Sequence, residues 1–342
     1  MNKFSNKFLL FLCFSGLIYF FLICVTGLFL PGFLLKNLNY KLGSYGHLYS
    51  RMKDLHTIHK PDILFLGSSH AYRGFDTRIF KKHGYSSFNL GSSSQTPIQT
   101  ERLLKKYLKK IQPELIIYEV EPDAFASDGV ESELDFIAND TIDTGTLITI
   151  WKIKHVKLLN TLLYGFFRQF FHLNSGYEEP VQKGDDFYVS GGGYVERREE
   201  SRKIEFLEAP KSEKQSLNKY QLIAFFRILE FFKENNVPYL LVQAPVTKNF
   251  NRAVLKIQPN VSLWREIKRE ENKKIEFLEL PYGNNKFNEL MEKIFLENSN
   301  YFNFNKILSL NDSLHFYDSH HLNQAGVEIF NGRLIELIEN PE

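Results

Sequence analysis

Beyond residue 24 the chain contains no cysteine; its only two are Cys13 and Cys24. That absence removes a disulfide framework, a thiolate zinc site and a cysteine nucleophile from everything after the N-terminal segment. It is compatible with an oxidising compartment without requiring one. A surplus of one charge sign is missing too. Lys and Arg number 42 against 40 Asp and Glu, a net charge of +2. A dedicated nucleic-acid binder would carry a basic excess on one face, so no nucleic-acid partner is expected. Internal repeats are absent, and so are long uncharged apolar runs, with one exception at the start.

That exception runs from Phe8 to Leu35 without a charged residue, with Lys3 and Lys7 before it and Lys36 after it. As a helix, Phe8 to Leu30 would be about 35 Å long, enough to cross a hydrocarbon core of about 30 Å. A cleaved signal peptide has a shorter apolar region, about 7–15 residues, ending in small residues. No such site closes this run. Phe21, Leu22 and Ile23 precede Cys24, so a lipoprotein cleavage site is not present either. Residues 1–35 are therefore expected to be an uncleaved signal anchor. Lys3, Lys7 and the amino terminus should stay cytoplasmic, leaving the rest extracytoplasmic, although Lys36 and Lys41 pull against this orientation. Residues 36–60 read as a polar, partly helical connector.

The chain as a whole has the composition of an ordinary folded protein, 43% hydrophobic and 24% charged. The 32 Phe and 17 Tyr read as core filling. Short apolar runs alternate with amphipathic ones. "DILFLG" (62–67), "SSFNLG" (86–91), "ELIIYEVE" (114–121), "VPYLLVQAP" (237–245) and "KIEFLEL" (274–280) predict strands. The stretches 101–111, 219–236 and 322–338 predict helices, the second stopped by Asn235-Asn236. Such alternation implies right-handed crossovers and a mostly parallel sheet covered on both faces. The expected class is α/β, a three-layer sandwich spanning 61–342. Residues of about 124–216 break the rhythm with a helix-like part (Leu147 to Phe171) and a polar, Gly-rich part, and read as an inserted cap over the sheet.

In an open parallel sheet, ligands bind at the carboxyl ends of the strands. Gly67, Ser68, Ser69 and His70 fall at such an end. Serines in a strand-to-helix turn can serve a capped turn alone, or present a hydroxyl beside free backbone N–H groups. "NLGSSSQTP" (89–97) repeats the pattern, with Gly91 at a strand end. More telling is "FYDSHHLNQAG" (316–326). Asp318 can reach the Nδ1–H of His321 three residues on, leaving Nε2 free to take a proton from a serine. The same residues also suit a capping aspartate beside a surface histidine. With His315 and His320 they suit a metal site, though one turn cannot easily present four ligands to one ion.

"GSSH" after a strand, "NLG" at a later strand end and a near-C-terminal D-x-x-H-L-N-x-x-G together resemble the SGNH/GDSL hydrolase superfamily. The similarity runs over about residues 60–335 in block order, with specific motifs in some thirty residues. It implies a flavodoxin-like SGNH fold, with Ser69 as nucleophile, His321 as base and Asp318 as its orienter. It also implies an oxyanion hole built from Ser69 and Gly91 backbone N–H groups, with no cofactor or metal. Ser68 stands where the family's Asp usually is. The third block, Gly-x-Asn-Asp, should fall near "YEVEPDAF" (118–125), and no Asn-Asp is there. The side-chain donor is thus unassigned, and Glu119, Glu121 and Asp123 would repel an oxyanion.

The anchor and the "G-S-S" block further resemble the envelope members that transfer D-alanine or O-acetylate alginate. By that resemblance the expected activity is an esterase or O-acyltransferase acting on a cell-envelope glycan or another acylated substrate in the periplasm. The expected partners are a small ester or acylated glycan, the membrane, and a membrane-bound O-acyltransferase. The alternative is a catalytically idle scaffold or glycan-binding subunit of such a complex.

Overall fold

In the computed structural model, which describes residues 3–198, 217–254 and 300–340, the apolar runs become strands, the first ending directly before Gly67. In chain order these are β1 (Ile63–Leu66), β2 (Ser87–Asn89), β3 (Leu115–Glu119), the hairpin strands β4 (Gln182–Lys183), β5 (Asp186–Val189) and β6 (Tyr194–Arg197), then β7 (Tyr239–Gln243) and β8 (Tyr301–Asn303). β2, β1, β3, β7 and β8 lie side by side in that order, every neighbouring pair parallel. This is a doubly wound arrangement. The chain starts in the middle, moves one way to β2, then crosses back to β3, which puts a topological switch point at the carboxyl ends of β1 and β3.

The described helices are α1 (Lys3–Phe29), α2 (Leu48–Leu55), α3 (Ser69–Gly74), α4 (Thr77–Lys82), α5 (Pro97–Ile111), α6 (Pro122–Ala126), α7 (Val130–Asn139), α8 (Thr144–Ile153), α9 (Val156–Phe170), α10 (Lys219–Glu234) and α11 (Lys248–Val254). Two short turns and a terminal helix, Gln324–Glu339, close the chain. Strand side chains alternate between the two faces of the sheet. Leu64 and Leu66 pack with α2, α5 and α10 on one face; Ile63 and Phe65 pack with α3, α4 and the terminal helix on the other. That makes three layers, with each fully buried Leu or Phe contributing about 1.5–3 kcal/mol.

Four of the five strands expected from sequence form, each trimmed at its ends; 274–280 lies outside the described residues. β8 was not anticipated because three residues carry no legible alternation. Within the connector 36–60, Leu48, Met52 and Leu55 of α2 are buried in the same core as the sheet. The expected helix from Leu147 to Phe171 is two helices, α8 and α9. Lys154 ends the first in the left-handed region, at φ 56°.

The described part of the inserted region, residues 124–198, packs at several places. α7 packs on α2 and α9, and α8 on α5, while the hairpin β4–β6 packs on α3. The fully buried Arg51 ties that hairpin down, its Nε donating to the Gly193 carbonyl at 2.9 Å. α9 also lies against α1. Tyr19 donates to Asn160 Oδ1 at 2.5 Å, and Tyr164 donates to the Gly27 carbonyl at 2.9 Å.

Candidate active site

β1 ends at Gly67 because nothing larger fits. Its φ is +138°, and an added Cβ would sit 2.8 Å from Glu119 Cβ and 2.9 Å from the Glu119 carbonyl oxygen. The next residue, Ser68, is extended and caps α3, its Oγ accepting from His70 N–H at 3.3 Å. Ser69 is therefore the first helical residue, partly exposed at the rim of the sheet.

Behind it lies the end of β2. Asn89 Nδ2 donates to the Ala71 carbonyl at 2.7 Å, and Asn89 Oδ1 accepts from Gly91 N–H at 3.0 Å. A Cβ on Gly91 would stand 3.0 Å from the carbonyl oxygens of both Gly67 and Ser68. Gly91 thus does approach the serine turn. Its N–H, expected to face an oxyanion, is engaged by Asn89.

The third element is the loop before the terminal helix. Phe316 and Leu322 pair across it, Tyr317 N–H donates to the His321 carbonyl at 3.2 Å, and Thr247 Oγ1 donates to the Ser319 carbonyl at 2.6 Å. Within that turn Asp318 Oδ1 accepts the N–H groups of His320 (2.9 Å) and His321 (2.7 Å). Asp318 Oδ2 lies 2.8 Å from His321 Nδ1, and His321 Nε2 lies 2.8 Å from Ser69 Oγ. Tyr317 stacks on the His321 ring, with centroids 5.5 Å apart and planes 6° from parallel. Asp318, His321 and Ser69 are therefore one continuous hydrogen-bonded chain, although Ser69 and His321 are 252 positions apart in sequence.

Burial pushes the His321 imidazole down to about 3, against the opposing pull of Asp318. It is therefore neutral near pH 7, and Nε2 can accept a proton. Burial would raise Asp318, but the hydrogen bond and charge of His321 hold it well below the usual carboxylate range.

Ser68 belongs to a different cluster, one that the sequence did not reveal. Its Oγ donates to Glu121 Oε2 at 2.8 Å and lies 3.2 Å from Glu119 Oε2. His70 sits between the two halves of the site. Its Nδ1 is 2.9 Å from Glu121 Oε2, and its Nε2 is 2.7 Å from the His320 carbonyl oxygen. Both ring nitrogens face acceptors, so both carry protons and His70 is an imidazolium. Burial opposes that charge, but Glu121 and Glu119 outweigh it and raise His70 to about 10. Glu121, which burial would raise, is held down at about 2 by His70. Glu119, more deeply enclosed, is pushed up by burial to about 7. The Glu119 and Glu121 carboxylates thus serve His70 and Ser68, where the resemblance would place an amide donor. A signal was present: "YEVE" puts both acids on one side of a strand end, and His70 directly follows Ser69.

Among the described residues, two sets of three could gather round a cation: Asp318, His320 and His321, and His70, Glu119 and Glu121. Each set is already closed by its own hydrogen bonds. His315 takes no part, because its Nδ1 accepts from Asn311 N–H at 2.9 Å.

No protein-family profile matches the chain, and no curated protein matches it. Solved structures that resemble it include the following two. One, from Bacteroides fragilis and provisionally described as an acylhydrolase, is 11% identical with a TM-score of 0.37, covering 86% of this chain and 97% of that one. The other, a GDSL-like lipase from Bacteroides thetaiotaomicron, is 11% identical with a TM-score of 0.35, covering 86% and 98%. Similarity at this level does not extend to activity.

Proposed function

We propose that this chain is a membrane-anchored serine esterase or O-acyltransferase that acts on an acylated glycan or small ester outside the cytoplasm. The observation that carries the reading is the pair of 2.8 Å contacts joining Asp318 to His321 and His321 to Ser69. Ser69 Oγ attacks the ester carbonyl while His321 Nε2 takes its proton. Asp318 holds the imidazole in that tautomer and offsets its charge. The proton then goes to the departing alcohol, leaving an acyl group on Ser69. Water releases the acid, or a sugar hydroxyl takes the acyl group, with His321 again removing a proton.

Ser69 N–H has no partner among the described residues and is the first oxyanion donor. Gly91 N–H can join it only by leaving Asn89 Oδ1. Losing one donor of an oxyanion hole lowers rates by about 10²–10³. The second reading, a fold retained only to bind glycan, is favoured by that engaged Gly91 N–H and by the absent Asn-Asp block.

The anchor is α1, which is long and apolar enough to cross a membrane. A membrane-bound O-acyltransferase is the partner class that would supply acyl groups to a transferase of this design.

The test is turnover of p-nitrophenyl acetate by the full chain in detergent, with and without an oligosaccharide acceptor. An initial burst of p-nitrophenol shows acyl-Ser69 forming faster than it is released. An acceptor that speeds steady release and becomes acetylated identifies a transferase; acetate alone identifies an esterase. No burst and no turnover sinks the enzymatic reading.

Ser68→Ala should keep the burst and cost about 1 kcal/mol of stability through the lost cap, whereas Ser69→Ala should abolish it. The pH dependence follows from the lowered His321 pKa. A base of ordinary imidazole pKa would be half protonated at about pH 6.5. With His321 at about 3, acylation should instead hold its rate from pH 8 down to pH 5, falling only as pH drops towards that value. A midpoint near 6.5 in burst rate would show that His321 is not buried as described.

A further inference from the structure

α9 is apolar on the side it turns outward. Val156, Leu159, Leu163, Phe166 and Phe170 recur along it at helical spacing. Four of them are 46–67% exposed, and Leu163 is partly exposed. Trp151, in the last turn of α8, is 77% exposed. An adjoining side of α9 is packed, through Leu158 and Leu162, against Ile137 and Leu134. A helix side left to water is normally polar, so an apolar side turned outward calls for a cover.

α1 indicates the cover. Residues 4–22 of α1 are exposed apart from the partly exposed Phe20, about 28 Å of helix, against a hydrocarbon core of about 30 Å. Near the end of that stretch the domain already touches α1. Tyr19 donates to Asn160 of α9, and Cys24 is buried. α9 is therefore held beside a stretch of α1 that lies within the acyl chains. Charge agrees with this placement. From Thr144 to Tyr177 there is no Asp or Glu, while Lys152, Lys154, Lys157 and Arg168 are present. Arg168 is tied to Asn174, Tyr164 and Leu173, and Lys152 lies near Glu101; Lys154 and Lys157 can extend from an apolar surface to anionic headgroups, and an exposed Trp suits the interface.

We infer that the outward stripe of α9, with Trp151, is seated in the acyl-chain boundary of the lipid leaflet next to the domain, as a second membrane contact that does not cross. The inference rests on α1 being a membrane anchor. It gives the domain two points of attachment and so prevents it from swinging about a single helix.

The test uses the full chain with Cys13→Ala and Cys24→Ala, and a single cysteine introduced as Phe11→Cys or Phe166→Cys. Each is labelled with an environment-sensitive fluorophore and reconstituted in vesicles of phosphatidylcholine and phosphatidylglycerol. Nitroxide lipids quench from the acyl chains, and iodide quenches from water. The label at 166 should lose most of its emission to lipids carrying the nitroxide high on the chain and little to iodide. The label at 11 should be quenched by lipids nitroxide-tagged along the chain. If 11 is quenched from the lipid but 166 by iodide, the anchor stands and this inference fails. If 11 is quenched by iodide, the anchor reading itself fails and takes the inference with it. A label at 166 shielded from both quenchers would mean that protein, a second copy or a partner, covers the stripe, and would overturn the lipid assignment.

Discussion

Replacing His321 by Ala is expected to lower turnover of an activated ester by about 10⁴-fold or more, because nucleophile and base act as a unit. The size of the loss follows from geometry. Nε2 is 2.8 Å from Ser69 Oγ, and among the described residues no other imidazole or carboxylate forms a hydrogen bond with that hydroxyl. His70 is close by, its ring centroid 5.1 Å from that of His321, but both its nitrogens are committed to Glu121 and the His320 carbonyl. It cannot stand in as the base. The double variant Ser69→Ala with His321→Ala should be scarcely slower than either single one. Additive losses would show that the two residues do not share a step.

The second large effect is on stability. His70→Ala should cost about 3–5 kcal/mol, because it leaves Glu119 and Glu121 enclosed without their cation. The thermal midpoint of the full chain should fall on the order of 10 °C. Adding Glu121→Gln to His70→Ala should restore a large share of the loss by removing one of the stranded charges.

The pH dependence has a definite sign. A folded pKa of about 10, against about 6.5 unfolded, means that the His70 contribution is complete below pH 6.5 and fades as pH rises through 10. The gap between wild type and His70→Ala should therefore narrow between pH 7 and pH 10. A gap that stays constant would mean that His70 is neutral in the folded chain. Because His70 also holds the His320 carbonyl, His70→Ala should slow acylation even where the variant is fully folded, by loosening the turn that carries His321.

The elements that could be read from the sequence are those whose signal is local. β1 and β3 are apolar runs with clear ends, and Asp318 and His321 share one turn, so spacing alone brings them together. The Ser69–His321 contact was accessible only through block order and the rule that sites lie at the carboxyl ends of parallel strands. Other features depend on neighbours that no local pattern names. Glu119 and Glu121 become partners of His70 only because β3 lies beside β1. Gly91 N–H turns to Asn89 because of the shape of the turn after β2, which "NLG" does not disclose. The break at Lys154 has no glycine or proline to announce it. α9 reads as an ordinary amphipathic helix until its packed and outward faces are both seen to be apolar.

The central claim is that Ser69 is an activated nucleophile, and the most direct measurement is the mapping of a fluorophosphonate adduct on the full chain by peptide mass spectrometry. Only a serine whose proton is drawn away by a neighbouring base reacts readily with such a probe. The expected result is a single modified residue, Ser69, with labelling lost in His321→Ala. An unlabelled chain, or an adduct on Ser68 that persists in Ser69→Ala, would contradict the account.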